Sequence, residues 1–297
     1  MAGDCIWTGT VSTNPAAGGN WSTGVVPAVG DDVIIPAGAT QNIIGGDLSG
    51  VAIASLVIED GCAISIGTGP LVATPEPLMF GGNATCYVND WGSGTRYLYC
   101  MDTASWNMLG SGTVYIDGIN NDELNIKPNG TANVVVGPGY AAAVPIVPAE
   151  FDAIGYIEGG TVELRSVTTQ AAGAVPITGI LGGKVTARSA LTNVYQYGGT
   201  LAVEAVGITN FYSTGGTCTY NSDDTITLFV IEGSGRLDFG REPTPVTVTQ
   251  GQVHRGGTVL DPYGRVIWTN EIELIRCSLT EVILDLGRNR EYQVTAL

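Results

Sequence analysis

Positive charge is scarce in this chain: lysine occurs only at Lys127 and Lys184, and 12 basic residues face 28 acidic ones for a net charge of -16. Such a surface repels phosphate backbones, so nucleic acid is not an expected partner. Charge of either sign is thin, at 13% of 297 residues against roughly a quarter in ordinary globular chains. No segment offers the roughly 18 unbroken apolar residues of a membrane helix, so a membrane is not an expected partner either. The N-terminus lacks the basic, apolar, small-residue order of a secretory signal. His254 has no second histidine to complete a zinc site, and neither GxSxG nor HExxH occurs. The six cysteines (Cys5, Cys62, Cys86, Cys100, Cys218 and Cys277) include no CxxC spacing, so no metal or cofactor is expected. Reduced, mostly buried thiols are the expectation. Only Cys86 and Cys100 lie close enough in sequence to raise a disulfide question.

What the chain has in quantity is glycine, 43 residues, within a composition that is 44% hydrophobic. The glycines keep no three-residue period and the aliphatic content is high, which excludes collagen-like and disordered chains. They recur on a longer scale. From residue 154 the chain reads IGYIEGGTVELR, GILGGKVTAR, VYQYGGTLAVEA, FYSTGGTCTYNS, VIEGSGRLDFG and QVHRGGTVLDP. The last glycine of each turn falls at Gly160, Gly183, Gly199, Gly216, Gly235 and Gly257, at intervals of 23, 16, 17, 19 and 22. Weaker marks precede them at Gly61, Gly82, Gly112 and Gly130. After each mark the residues alternate, as in Thr161-Val162-Glu163-Leu164, the signature of a strand with one face in and one out. Short strands repeating every 20 residues or so fit a coil in which each turn buries its apolar face against its neighbours. A β-sandwich also spaces strands and turns closely, but it gives no reason to repeat one Gly-Gly-Thr phrase. The predicted fold is therefore all-β, a single-stranded parallel β-helix, or β-solenoid, with an N-terminal cap and two loop insertions.

The stretch NWSTGVVPAVGDDVIIPAG, Asn20 to Gly38, follows a lead containing Trp7. With Trp21, Gly24, Pro27, Gly30-Asp31 and the run from Val33 to Gly38, it resembles the first coil of right-handed parallel β-helices in bacterial surface proteins, such as autotransporter passengers and G8-type modules. The resemblance covers about forty residues and implies a right-handed coil whose first turn is covered by Trp7 and Trp21. An open solenoid end otherwise exposes strand edges that recruit other chains. The predicted layout is a cap and first strand over 1–40, a solenoid over 41–275 and a C-terminal strand and tail over 276–297. Insertions are placed near 83–111 and 131–159, where the interval between glycines lengthens to 30.

Those intervals hold the binding candidates. The first contains Tyr87, Trp91, Tyr97, Tyr99 and Trp106; the second contains Tyr140, Val144, Ile146 and Val147 among prolines at 138, 145 and 148. Clustered aromatics stack on sugars, anchor protein interfaces or pack onto their own coil. The proline-stiffened apolar arm favours a protein partner, with carbohydrate as the alternative ligand. Paired acids of a polysaccharide-cleaving enzyme need separations of roughly 5 to 9 Å. The candidates are Asp117, Asp122 with Glu123, Asp223 with Asp224, and Glu232 with Asp238. Asp223-Asp224 and Asn120-Asn121-Asp122 read as turn residues bonding their own backbone. The expected protein is thus not an enzyme. It is a structural protein of a virion, a bacteriophage capsid decoration or spike, since virion parts leave the cell by lysis and need no leader. Other virion or surface proteins are the expected partners, with self-assembly into an oligomer such as a trimer. A secreted adhesin or passenger at the cell surface, and a polysaccharide-degrading β-helix enzyme, are the rival readings.

Overall fold

The computed structural model describes residues 3–44, 47–59, 62, 64–66, 78–81, 85–88, 95–101, 104–108, 113–119, 121–128, 133–137, 149–165, 167–169, 171–204, 206–240, 244–287 and 294–296. The chain divides into two compact units, Met1–Gly155 with Gly160–Gly173, and Tyr156–Gly159 with Ala174–Leu297. Each is a stack of parallel strands, a β-solenoid. Helix among the described residues is limited to two single 3-10 turns, Gly18–Asn20 and Leu279–Glu281.

In the first unit one sheet runs Asp4–Ile6, Asp32–Ile35, Ser55–Ile58, Thr85–Val88, Ala104–Met108, Asn121–Pro128, each pairing in parallel with the next. The other runs Asp47–Ala52, Leu78–Gly81, Thr95–Met101, Thr113–Ile119, Asn133–Val136, Thr161–Leu164. Strands 85–88, 95–101 and 104–108 fall within the stretch read as the first insertion. They are paired on both sides, so the long glycine interval there carries coil strands. Asp4–Ile6 already forms a strand ahead of the segment expected to begin the coil.

The second unit repeats the plan with more regular spacing. One sheet stacks Val175–Ile180, Leu191–Gln196, Ile208–Ser213, Ile226–Ile231, Val246–His254, Ile272–Ile275 and Val294–Ala296. The facing sheet stacks Lys184–Ala187, Thr200–Glu204, Thr217–Asn221, Arg236–Asp238, Thr258–Leu260 and Ile283–Asp285. Alternation decides which residues fill the coil. Val185, Leu201, Cys218, Leu237 and Val259 share one inward column, and all are buried. Across from them Val194, Phe211 and Phe229 form another, which passes through Gly251 to buried Ile272. A Cβ on Gly251 would collide with the Phe229 ring, so glycine there is room for the neighbouring phenyl group. Each fully buried aliphatic or phenyl group in such a column contributes about 1.5–3 kcal/mol.

Corners follow the glycine marks in part. Gly160 in the first unit, and Gly183, Gly199 and Gly216 in the second, have φ between 63° and 81°, a region costly for any residue with a Cβ. At the marks Gly235 and Gly257 the positive φ falls one glycine earlier, two residues and one residue before the mark. It is Gly233 (φ 61°) and Gly256 (φ 84°) that take the left-handed conformation. In both phrases the turn is made by the earlier glycine, while the later one meets the backbone of Ser213 or Ile231 too closely to carry a side chain. Gly61, Gly82, Gly112 and Gly130 lie outside the described residues.

The N-terminal segment is built on polar anchoring of two indoles. Trp7 and Trp21 are 1% and 2% exposed and meet edge to face, with centroids 5.2 Å apart. The Trp7 Nε1–H donates to Gln41 O (3.0 Å) and the Trp21 Nε1–H to Pro15 O (2.7 Å). Asn20, fully buried between them in sequence, is satisfied on both ends of its amide. Its Oδ1 accepts from the N–H of Val11 and of Ser12 (both 2.8 Å), and its Nδ2 donates to Asn14 O (2.7 Å) and Ser12 Oγ (3.0 Å). A buried amide left unpaired would instead cost its desolvation. Asp31 closes the loop before Asp32–Ile35, its carboxylate accepting from the N–H of Ala28 and of Gly3.

Candidate functional site

Period-2 alternation that buries Cys218 and Leu237 turns their neighbours outward. In the second unit Thr217, Arg236 and Thr258 stand in one outward column, and Thr219, Asp238 and Leu260 in the next, each on successive rungs. Rungs repeat at about 4.8 Å. Asn221 extends the same face beyond Tyr220. After Leu260 the sequence Asp261-Pro262-Tyr263-Gly264 forms a β-turn, the Gly264 N–H donating to Asp261 O at 3.0 Å, with proline and glycine where a type I turn favours them. This turn lifts Pro262 and Tyr263 to the rim, where Tyr263 is 59% exposed. The outward columns and the turn enclose an open cleft of about 520 Å³.

Among the described residues the lining is polar and charge-balanced. Arg236 Nη2 lies 3.0 Å from Asp238 Oδ2, and the Gly240 N–H donates to Asp238 Oδ1 at 3.0 Å. Arg236 thus spends one of its five N–H donors on Asp238. Thr219 and Asn221 line the cleft with side chains that make no hydrogen bond among the described residues. Gly240, at φ 65°, keeps the space open, because a Cβ there would press on Asn221 Oδ1. Leu260 and Pro262 supply the apolar part of the lining.

Behind the cleft a buried cation ties three coils together. Arg265 is 4% exposed and donates to four backbone carbonyls: Phe239 O (2.5 Å), Ser222 O (2.6 Å), Tyr220 O and Thr244 O (both 3.1 Å). Fully buried Asp261 accepts from the N–H of Arg265 (2.8 Å) and of Val266 (2.9 Å). Beside them Tyr220 donates its hydroxyl to Asp224 O (2.9 Å), and burial pushes its pKa up to about 12. This network holds the DPYG turn and so the rim residue Tyr263. The in–out alternation within each strand and the DPYG turn are both visible in the sequence, whereas the register between rungs is not. Arg265, one arginine among ten, carries no local mark of its burial.

The expected acid pairs do not share one setting. Asp238 belongs to the cleft and pairs with Arg236, whereas Glu232 sits at a corner with its Oε2 3.9 Å from His254 Nδ1. Asp223 and Asp224 are exposed between the strands Thr217–Asn221 and Ile226–Ile231, and the side chain that bonds the backbone there is that of Ser222, whose Oγ accepts from the Asp224 N–H. Asn121 and Asp122, expected in a turn, open the strand Asn121–Pro128 together with Glu123, ahead of the residues 124–128 that pair with Ala104–Met108, while Asn120 lies outside the described residues. Asp117 lies in the strand Thr113–Ile119. Among the described residues no three His, Cys, Asp or Glu side chains gather as a metal site. Cys86 and Cys100 fall in different sheets, paired with Trp106 and with Gly118 respectively. No helix among the described residues is long and apolar enough to cross a membrane.

Of the aromatic candidates, Tyr87 lies on the strand Thr85–Val88, Tyr97 and Tyr99 on Thr95–Met101, and Trp106 on Ala104–Met108. Their backbones are coil strands and their side chains are outside what is described. Trp91, Tyr140, Val144, Ile146 and Val147 lie outside the described residues altogether. The second unit has an aromatic cluster that the expectation missed. Tyr195 and Tyr212 stack at 4.9 Å on adjacent rungs, and Tyr156 and Tyr197 lie over Gly179. The two stacked rings turn their inner faces to each other, and the other two cover a glycine, so this cluster serves the coil. Fold and cleft together define an all-β protein of the parallel β-solenoid class. Compared with protein-family models, with curated proteins and with solved structures, the chain matches none.

Proposed function

We propose that the protein is a non-catalytic structural component of a virion, a bacteriophage capsid decoration or spike built on a β-solenoid. The observation that carries this reading is the engagement of its acids. Asp238 is paired with Arg236, Asp261 is buried against backbone N–H groups, and Glu232 faces His254. Hydrolysis of a glycosidic bond needs two carboxyl groups facing one bond across a gap, and these three serve three separate places. Backbone-paired coils with anchored corners suit a part that must keep its shape outside a cell. The buried Trp7–Trp21 pair acts as the cap at the N-terminal end, as in the bacterial surface β-helices that this segment resembles, and protects the first strand from edge pairing. Other virion proteins and further copies of this chain are its partners in this reading. The secreted adhesin is the second reading, favoured by the polar cleft.

The test is location. Antibody against the purified protein is applied to density-gradient-purified particles and to washed cells from the same culture. A band in the particle fraction, with label on the particle surface, supports the virion reading. Label on cells with none on particles overturns it in favour of the adhesin.

A further inference from the structure

We infer that the cleft formed by Thr219, Asn221, Arg236, Asp238 and Tyr263 is a binding site for a neutral, hydroxyl-rich ligand, a short stretch of uncharged glycan. Its size is in the range of ligand sites, about 300–1,000 Å³. Its chemistry selects among ligand classes. Arg236 and Asp238 neutralise one another across 3.0 Å, so the described lining offers no net charge for an ion. The chain's charge of -16 works against acidic polymers. A hydroxyl group both donates and accepts, and the cleft presents both functions side by side. Donors are the remaining N–H groups of Arg236, the Asn221 amide and the Thr219 hydroxyl. Acceptors are the second lone pairs of Asp238, the Asn221 carbonyl and the Thr219 oxygen.

Two features show that this face is shaped for contact. Thr219 and Asn221 line it without a hydrogen-bonding partner among the described residues. Gly240 occupies a position where any side chain would press on the Asn221 amide. Tyr263 at the rim, held by the turn that Asp261 and Arg265 anchor, supplies an exposed ring with an apolar face and a polar tip, the character that suits the mixed surface of a sugar. The inference rests on the non-catalytic reading only in that the glycan is held and not cut.

The experiment is a titration of the full chain with neutral oligosaccharides (cello-, malto-, xylo- and chito-hexaose) and with oligogalacturonate as the acidic arm, followed by saturation-transfer NMR. At least one neutral hexaose is expected to bind, and Asn221→Ala and Tyr263→Ala each to weaken it by about tenfold, as for the loss of one hydrogen bond or one ring contact. Asp238→Asn frees Arg236 and is expected to shift preference toward oligogalacturonate. The variants must keep the far-UV circular dichroism of the parent. Saturation transfer only to the acidic arm, transfer to none of the probes, or unchanged affinity in both folded alanine variants overturns the site. Reducing ends are assayed in the same incubations. Their release would end the non-catalytic reading while leaving binding in the cleft standing, so the two failures are distinguishable.

Discussion

Replacing Gly199 by alanine separates two costs that the coil corner imposes. The first is conformational: Gly199 has φ 64°, and a Cβ in that region costs roughly 1–2 kcal/mol. The second is steric. A Cβ built on Gly199 would lie 2.6 Å from Gly183 O and 2.7 Å from Gly182 C, backbone atoms of the preceding coil that cannot rotate away. Forcing one extra carbon into packed surroundings costs about 1–3 kcal/mol, while the stiffer unfolded chain returns about 0.4–1 kcal/mol. The net loss for Gly199→Ala is therefore about 2–4 kcal/mol. Two other glycines of the same unit isolate the terms. Gly264 has φ 64° with nothing within 4 Å of its Cβ position, so Gly264→Ala carries the conformational cost alone, about 1 kcal/mol. Gly215 has no positive φ, but its Cβ would stand 2.5 Å from Tyr197 O, so Gly215→Ala carries the steric cost alone, about 1–2 kcal/mol net. The assay is guanidinium unfolding followed by circular dichroism, with the midpoint and slope compared across the three variants. If Gly199→Ala loses no more than Gly264→Ala, the corners do not stack as close backbone contacts and the account of the glycine repeat fails.

Three further outcomes follow from particular groups. Arg265→Met strands four buried carbonyls beside buried Asp261 and is expected to cost about 3–5 kcal/mol in the same unfolding assay; Arg265→Lys recovers only part of this because three donors cannot reach four acceptors, and a neutral Arg265→Met would refute the network. Glu281 accepts from the backbone N–H of Ser278 first and from its hydroxyl second, which holds its carboxyl below the usual range; a lowered folded pKa stabilises above the unfolded value near pH 4.3 and is lost as pH falls through the folded one, so Glu281→Gln should flatten the acid limb of a stability-against-pH curve, and an unchanged limb counts against it. Burial raises the thiol pKa of Cys218, and Cys5 and Cys62 are likewise buried, so iodoacetamide at pH 8 should label Cys277 first among these four, as read by peptide mass spectrometry; early labelling of Cys218 would contradict its place in the coil.

The parts of the fold legible in the sequence were those set by backbone geometry and side-chain period. Gly183, Gly199 and Gly216 announced themselves because a left-handed corner tolerates little else, and Val185, Leu201 and Cys218 followed from alternation alone. Where two glycines stand in one phrase, Gly233-Ser234-Gly235 or Gly256-Gly257, composition does not say which takes positive φ; it is the earlier one, whereas the repeat is anchored on the last. The 30-residue interval from Gly82 to Gly112 misled for a different reason. A rhythm counted from Gly82 directly to Gly112 passes over Gly92-Ser93-Gly94, so it reads as one long excursion a stretch that carries the strands 85–88, 95–101 and 104–108.

The cleft was illegible because it depends on residues that meet only through register. Thr219, Asp238 and Leu260 are 19 and 22 positions apart in sequence, yet they stand on three successive rungs. A solenoid converts its repeat length into lateral neighbours, so outward columns are the natural unit in which it carries binding chemistry. That conversion also explains why the buried anchor lies where it does. A turn such as Asp261–Gly264 leaves the coil and would lose its aim without a fixed root. Arg265, bonded to carbonyls at residues 220, 222, 239 and 244, fixes that root to the same rungs that supply the cleft wall. Wall and rim are therefore set by one network, and damage to Arg265 should loosen Tyr263 before it unfolds the coil. Hydrogen exchange would separate the two effects: in Arg265→Lys, amides of the 261–264 turn should lose protection while those of 199–204 keep it, and equal loss in both would mean that the anchor serves the coil alone.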